Sequence, residues 1–305
     1  LDYRIDIKFE PVHEFMNSLH TYICRASYKK IDLSPSWATA TKKQLKPEFA
    51  AMLDEMLVNG DWWSFAYLLG LLVPEGRGVE GFLDWLEKLT IQDLVQLFTA
   101  NGNEFPDEDL EVFLARTRSM FEQWYEQYFR NVDPAILQAL EREKEERLQQ
   151  LTNADRADFV DETTNGMLFK PVDSADELVL IPQYHFQPVN MVTHYGRKIY
   201  CHYNSRIYLG DDDYIPTHDL RMIRSLGEKS RLKILRFLHG GPRTFTEIVS
   251  HVQLSKGITH DHISKLRTAG LIYAHFEGEN LTEYSLRKRA IHQMQERLLG
   301  YIEEG

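Results

Sequence analysis

The sequence predicts a mainly α protein with small β elements (α+β), and three observations carry that prediction. Apolar residues recur at helical spacing through most of the first 165 residues. From Met167 to Tyr208 the chain becomes rich in β-branched and aromatic residues broken by Pro and Gly. Beyond Asp219 short helical stretches precede a pair of strand-like runs around GEN, and a last helical stretch follows. The expected layout is a mostly helical N-terminal domain over 1–165, serving sensing or dimerisation. A strand-rich segment over 166–215 is expected to pack with it, and a third domain to occupy 216–305.

Taken in order, Tyr3 to Phe9 alternates apolar and charged residues, as a strand with one buried face does. Pro11 opens a helix through VHEFMNSLHTYICRASYKK, where Val12, Phe15, Met16, Leu19, Ile23 and Cys24 keep helical spacing. Residues 46–131 read as mostly helical. Pro47 sits in a first turn, Asp61 and Thr90 stand as N-caps, and Pro106 precedes a long helix reaching Phe129. Pro134 starts a charge-laced helix. ELVLIPQYHFQP and GRKIYCHYN read as strands, with MVTHY as a third, and DDDYIPTHD at 211–219 punctuates the main boundary.

Composition narrows the function. Apolar content is 43% and charged content 27%, ordinary for a globular chain. The longest apolar run, FAYLLGLLV, is too short to span a bilayer, so no membrane partner is expected. The opening DYRIDIKFE lacks a signal pattern, which predicts a cytoplasmic location. Cys24 and Cys201 lie far apart without CxxC spacing, so neither a disulfide framework nor a zinc ribbon is expected. Net charge is −11, yet residues 219–305 hold 14 Lys and Arg against 10 Asp and Glu, or +4. The first 218 residues hold 21 against 36, or −15, an asymmetry expected when one end meets a polyanion. No Gly-rich phosphate loop, nucleophile elbow, HExxH or kinase signature occurs, which argues against an enzyme, and no cofactor is expected.

The C-terminal order is specific. GEKSRLKILRFLHGG carries Leu232, Ile234, Leu235 and Leu238 as an apolar face, and TFTEIVSHV is a short helix. ITHDHISKLRTAG is the next, closed by Gly270. LIYAHFEG and ENLTEYSL form a hairpin before the helix RKRAIHQMQERLLGYI. This is the order of a winged helix-turn-helix, whose second short helix is free to enter a major groove. His260, Asp261 and His262 are consecutive on that helix, so their side chains splay about 100° apart and cannot jointly chelate one ion. Lys256, Thr259 and His260 are instead suited to base edges or phosphates, with local packing or capping as the alternative for His262. Asp261 would be repelled by phosphate but could accept from a cytosine amino group.

LGEKSRLKIL, TFTEIVSHVQLS, ITHDHISKLRTAGLI and the wing ending in Tyr284-Ser-Leu286 resemble the ArsR family of bacterial repressors over about 80 residues. The long N-terminal part resembles, more loosely, larger regulators of that family with an added domain. The resemblance implies a dimeric repressor binding double-stranded DNA, controlled by an unknown small-molecule or protein effector. It places His260 and its neighbours at the start of the recognition helix. Where metal-sensing members carry Cys-x-Cys, this chain reads Thr244-Phe-Thr246-Glu247, so that thiolate site is not carried over. Arg243, Lys265 and Arg267 are candidates for phosphates, and His275, Arg287 and Lys288 for the wing's contacts. Arg231 is expected to serve the fold or one phosphate. Ile291, Met294, Leu298 and Ile302 share one face of the last helix and suit a two-fold dimer contact, with monomer core packing as the alternative.

Two features of the first 218 residues stay open. Trp37, Trp62, Trp63, Trp85 and Trp124 could line an apolar ligand pocket or form plain core. His185, His194 and His202, with Cys201 and Asp211 to Asp213 nearby, have the residue types of a metal site but fit no template, as do His292 and Glu296 at i,i+4. The alternatives to a regulator are a protein-interaction module on the winged-helix scaffold, a metal-responsive sensor, and an enzyme with a vestigial winged helix.

Overall fold

The computed structural model describes residues 3–58, 60–102, 104–210 and 215–303. In chain order the elements are β1 (Arg4–Ile7), α1 (Pro11–Ile23), α2 (Ser34–Gln44), α3 (Pro47–Asp54), α4 (Asp61–Leu72), α5 (Gly78–Lys88), α6 (Ile91–Ala100), α7 (Leu110–Gln127), α8 (Pro134–Leu151) and α9 (Arg156–Thr164). There follow β2 (Met167–Lys170), β3 (Glu177–Gln183), β4 (Met191–Tyr195), β5 (Lys198–Asn204), α10 (Thr217–Leu226), α11 (Lys229–Leu238), α12 (Phe245–Val252), α13 (Lys256–Thr268), β6 (Ile272–Glu277), β7 (Asn280–Leu286) and α14 (Lys288–Glu303). The α+β class is the one the sequence predicts.

The chain forms two compact units. A helical unit comprises 5–146 with 177–207, and a C-terminal unit comprises 1–4, 147–176 and 208–305. This differs from the expected division at 165 and 215. Composition groups Met167–Lys170 with the strands after it, but β2 runs parallel to β6 in a sheet ordered β2-β6-β7. Met167 and Phe169 are buried there, with the Phe169 ring stacked on Phe276 at 5.5 Å. Residue type shows that a stretch is a strand and says nothing about which strand it joins. Of the expected boundary at 211–219, residues 211–214 lie outside the described residues.

The helical unit is built around the inner faces of α1, α4, α5 and α7. Phe15, Leu19, Phe82, Phe113, Phe121 and Trp124 are fully buried in one cluster. The tryptophans belong to this core: Trp62, Trp63 and Trp124 are buried, and Trp37 and Trp85 pack against it. Indole N–H groups are expensive to bury unpaired, and four of them find acceptors here: Trp62 on Thr117 Oγ1 (3.1 Å), Trp63 on His20 Nδ1 (3.1 Å), Trp124 on Ser18 Oγ (2.9 Å) and Trp37 on the Tyr128 hydroxyl (2.8 Å). The sheet of this unit is ordered β1-β3-β5-β4, with β3 parallel and β4 antiparallel to β5. All seven residues of β3 are buried, as a strand covered on both faces requires.

Three local expectations change. The first helix stops at Ile23, where Cys24 leaves helical geometry and a short 3-10 turn follows, so the pattern through Lys30 overran its end. Gly60 is the N-cap of α4 while Asp61 is its first helical residue, its carboxylate taken by the Asp107 amide at 2.8 Å. Leu232 is 49% exposed. The buried stripe of α11 is instead Arg231, Ile234, Leu235 and Leu238, an i, i+3, i+4, i+7 set. Arg231 can occupy an inward slot because its guanidinium donates to the carbonyls of Ser225 (2.6 Å) and Arg224 (3.1 Å).

Candidate nucleic-acid interface

The candidate interface is defined by its helix ends. Thr244 caps α12 in a capping box: its hydroxyl accepts from the Glu247 amide (3.3 Å) and the Glu247 carboxylate accepts from the Thr244 amide (2.8 Å). The Glu247 carboxyl is held below the usual carboxylate range by that Thr244 amide first. Replacing Thr244 by Ala is expected to cost about 1 kcal/mol of stability, read from a shifted urea midpoint at unchanged slope. The helix stops at Gln253, which takes the left-handed conformation (φ 58°). Ser255 then caps α13 by accepting from the Ile258 amide at 3.3 Å. Only three residues separate the two helices, which sets α13 apart from α12 as a second, outward-facing element.

Along α13, Thr259, Ile263 and Leu266 form the buried stripe. Thr259 is therefore a correction: it is fully buried and offers no surface to a duplex. Its register is set by Ile263 and Leu266, which claim the core at i+4 and i+7. Lys256, Ile258 and His260 stand exposed at the first turns, and the His260 ring lies edge-on to Phe245 with centroids 6.4 Å apart. Asp261 is tied to Lys265 by an i,i+4 ion pair of 2.7 Å, which offsets its charge locally. His262 turns toward the start of α11, its Nδ1 3.8 Å from the Glu228 carboxylate. Ile258, 50% exposed, escaped the sequence reading. Its signal is an apolar side chain at the helix start, out of phase with the 259–263–266 stripe.

Around the helix, Arg243 exchanges both backbone hydrogen bonds with Tyr284 (2.8 Å each), and its guanidinium lies over the Phe237 ring at 5.0 Å. Phe237 also stacks face to face with His251 at 3.9 Å. Arg267 lies over Phe276 at 6.0 Å. On the wing, His275 shares a 2.8 Å hydrogen bond with Ser285, and burial pushes its pKa down. Lys170 of β2 bridges Glu277 and Glu283 at 3.0 Å each.

Arg287 is a second correction. Instead of reaching outward from the wing it is buried, with Nε 2.6 Å from the Asp161 carboxylate. Its Nη1 donates to Asn165 Oδ1 (3.2 Å) and the Gly270 carbonyl (3.1 Å), and its Nη2 to the Asp161 carbonyl (3.5 Å). The next residue, Lys288, is exposed at the start of α14. On α14, Ala290 and Met294 face the core, so Met294 is withdrawn from the expected dimer face. Ile291 and Leu298 are half-buried, while Ile302 is 62% exposed and Leu299 and Tyr301 are exposed beside it.

His185, in the turn after β3, and His202 on β5 sit among hydrogen-bonding partners. The Glu14 carboxylate lies 2.5 Å from His185 Nδ1, and the Tyr128 hydroxyl 2.8 Å from Nε2. His202 lies 3.1 Å from the Tyr67 hydroxyl, and burial pushes its pKa well down. Cys201 is buried, Cys24 lies 3.2 Å from Ser27 Oγ, and His292 and Glu296 are exposed. Among the described residues no three His, Cys, Asp or Glu side chains group to hold a metal ion, and Asp211 to Asp213 lie outside them. Among the described residues no helix is long and apolar enough to cross a membrane.

Residues 228–274 match the family described as "Bacterial regulatory protein, arsR family". Over 66 residues the chain is 35% identical to a probable mercury resistance operon repressor of Streptomyces lividans, a match covering 22% of this chain and 53% of that protein. The chain thus spans about half the length of this curated relative. A solved structure, a possible transcriptional regulatory protein (fragment 1–100) from Mycobacterium bovis, is 20% identical, covering 29% of this chain and 92% of its own at a TM-score of 0.23. The matched span runs from the cap of α11 through α12 and α13 into β6: the chain carries an ArsR-family helix-turn-helix, with a long additional region ahead of it.

Proposed function

We propose that the protein is a DNA-binding transcriptional regulator, acting as a repressor, that reads operator DNA through α13. One observation carries this reading: α13 is capped by Ser255 and buries Thr259, Ile263 and Leu266 while presenting Lys256, Ile258 and His260 outward from its first turns. In the major groove His260 would bond a base edge, Ile258 would meet a thymine methyl, and Lys256, Lys265 and Arg267 would neutralise phosphates. Arg243 and Lys288 are further phosphate candidates, and His275 a wing contact. A homodimer through the exposed end of α14, including Ile302 with Leu299 and Tyr301, would place two heads on half-sites about one helical turn apart. Control by an effector acting on the helical unit, in the cytoplasm, completes the reading.

The test is fluorescence anisotropy on the DNA upstream of its own coding sequence and on a scrambled duplex, across a salt series. The expected result is preference for the native duplex with affinity falling steeply as salt rises. His260→Ala should weaken binding to the native duplex by roughly 1–3 kcal/mol and spare the scrambled one. Equal losses on both would remove His260 from base reading.

A second reading, a protein-interaction module on the same scaffold, is favoured by one feature. The wing carries Glu277, Glu279 and Glu283, of which Lys170 bridges the first and last, and the negative balance left is one that a phosphate backbone repels. Absence of duplex preference, together with capture of a partner that salt does not weaken, would establish it.

A further inference from the structure

Between α8 and β3 the chain makes an excursion that the family match does not cover, and its polar groups converge on the far end of α13. Residues 147–176, including α9 and β2, belong to the C-terminal unit, and the chain continues from both ends of this segment into the helical unit. Asn165 adopts the left-handed conformation at the end of α9 (φ 59°), which aims its amide at α13. Its Nδ2 donates to the Thr268 carbonyl (3.3 Å), and its Oδ1 accepts from Arg287 (3.2 Å). Arg287 in turn bonds the Gly270 carbonyl and the Asp161 carboxylate, and the Tyr273 hydroxyl donates to the same carboxylate at 3.2 Å.

The packing leaves little slack. A Cβ on Gly270 would lie 2.1 Å from Asn165 Oδ1, and one on Gly166 would lie 2.9 Å from the Ile272 carbonyl oxygen. Both glycines also have positive φ, 68° and 101°. A helix C-terminus leaves carbonyls without intrahelical donors; here that of Thr268 is answered by Asn165, and the Gly270 carbonyl just past the cap by Arg287, both from outside the helix-turn-helix. A charged, buried arginine supplies one, and it stays buried only because Asp161 on α9 neutralises it.

We propose that Asp161, Asn165 and Arg287 are positioning residues for the recognition helix, and that α9 with β2 is an integral part of the reading head. The proposal rests on the DNA-reading role given to α13 above.

The test uses full-length protein and two readouts, one independent of DNA. Hydrogen exchange is followed in peptides covering 265–271, and the anisotropy ratio of native upstream to scrambled duplex is measured in parallel. Asp161→Asn strips the arginine of its counter-charge. Asn165→Gly tolerates the left-handed backbone and removes only the amide, so it keeps the question open to test if Asp161→Asn fails to fold. Both are expected to speed exchange in 265–271 by about tenfold or more, leaving α11 and α12 peptides unchanged. The duplex ratio should fall by about tenfold while scrambled-duplex affinity holds. Asp158→Asn, which removes an exposed Arg289 contact on the same helix, should move neither. Unchanged exchange in 265–271 overturns the clamp, and faster exchange with an intact duplex ratio overturns its positioning role. If the wild-type protein does not discriminate the duplexes, the DNA-reading role falls, and exchange alone decides whether the clamp exists.

Discussion

Arg287→Ala lowers the stability of the C-terminal unit by about 3 kcal/mol or more, the cost of removing one partner of a buried ion pair. The residue is only 4% exposed and answers acceptors on three residues at once, Asp161, Asn165 and Gly270. Removing it leaves the 3% exposed Asp161 with the Tyr273 hydroxyl and with Arg289, whose Nη1 lies 3.0 Å from Oδ2. Arg289 keeps the carboxylate from being wholly uncompensated, which sets the effect at the lower end of the range for buried pairs. Arg287→Lys retains the charge but not the fork, so it should recover part of the loss and not all of it. Hydrogen exchange of peptides across 256–286 gives the measurement. All five tryptophans, the last at Trp124, lie in the helical unit, so tryptophan fluorescence during urea unfolding reports that unit. A loss below about 0.5 kcal/mol, the size of an ordinary surface substitution, would show that Arg287 carries no buried pair.

The same residue marks where sequence reading stopped. Helical periodicity and capping chemistry were legible: Thr90 caps α6, α13 ends before Gly270, and the hairpin and the last helix stand where their patterns place them. Those signals are local, because a cap and its amide lie within three residues. Arg287 and Asp161 are 126 positions apart, and nothing in a run of RKR distinguishes an inward arginine from a solvated one. The helix α9 went unread for a related reason, since RADFVDETT has no marked apolar stripe and owes its burial to tertiary packing. Leu232 and Thr259 failed by phase: in an α-helix a slip of one residue rotates the side chain about 100°, enough to exchange inside for outside. At the candidate interface the exposed His260 and Lys256 were nameable from type and position, whereas Ile258 needed the buried stripe to be fixed first.

Acid destabilises the helical unit between pH 7 and pH 5 by about 2 kcal/mol for each histidine it holds buried and neutral. His13 is 6% exposed, and burial, with Lys8 adding to it, pushes its pKa from the ordinary 6.5 to about 3. His202 is fully buried, and burial pushes its pKa well down, with His13 and His20 adding to the effect. Both folded-state values lie below the unfolded one, so the stabilisation is complete above pH 6.5. As pH falls below that, the unfolded chain takes up protons the folded one refuses, at a cost of about 1.4 kcal/mol per pH unit per histidine until the folded pKa is reached. His13 has a structural reason to refuse: its Nδ1 accepts the Glu10 amide at 3.1 Å in the cap of α1, so a proton there breaks the cap. His20, half-buried and lowered to about 4 by burial, likewise offers Nδ1 to the Trp63 indole and adds to the trend. Urea unfolding followed by tryptophan fluorescence at pH 7, 6 and 5 checks the sign and the size. His13→Gln can still accept at the cap but does not titrate in this range, and should flatten the slope by one histidine's share. A stability that rises on acidification would mean that these rings are protonated in the folded unit, contrary to the buried acceptor roles of His13 and His20.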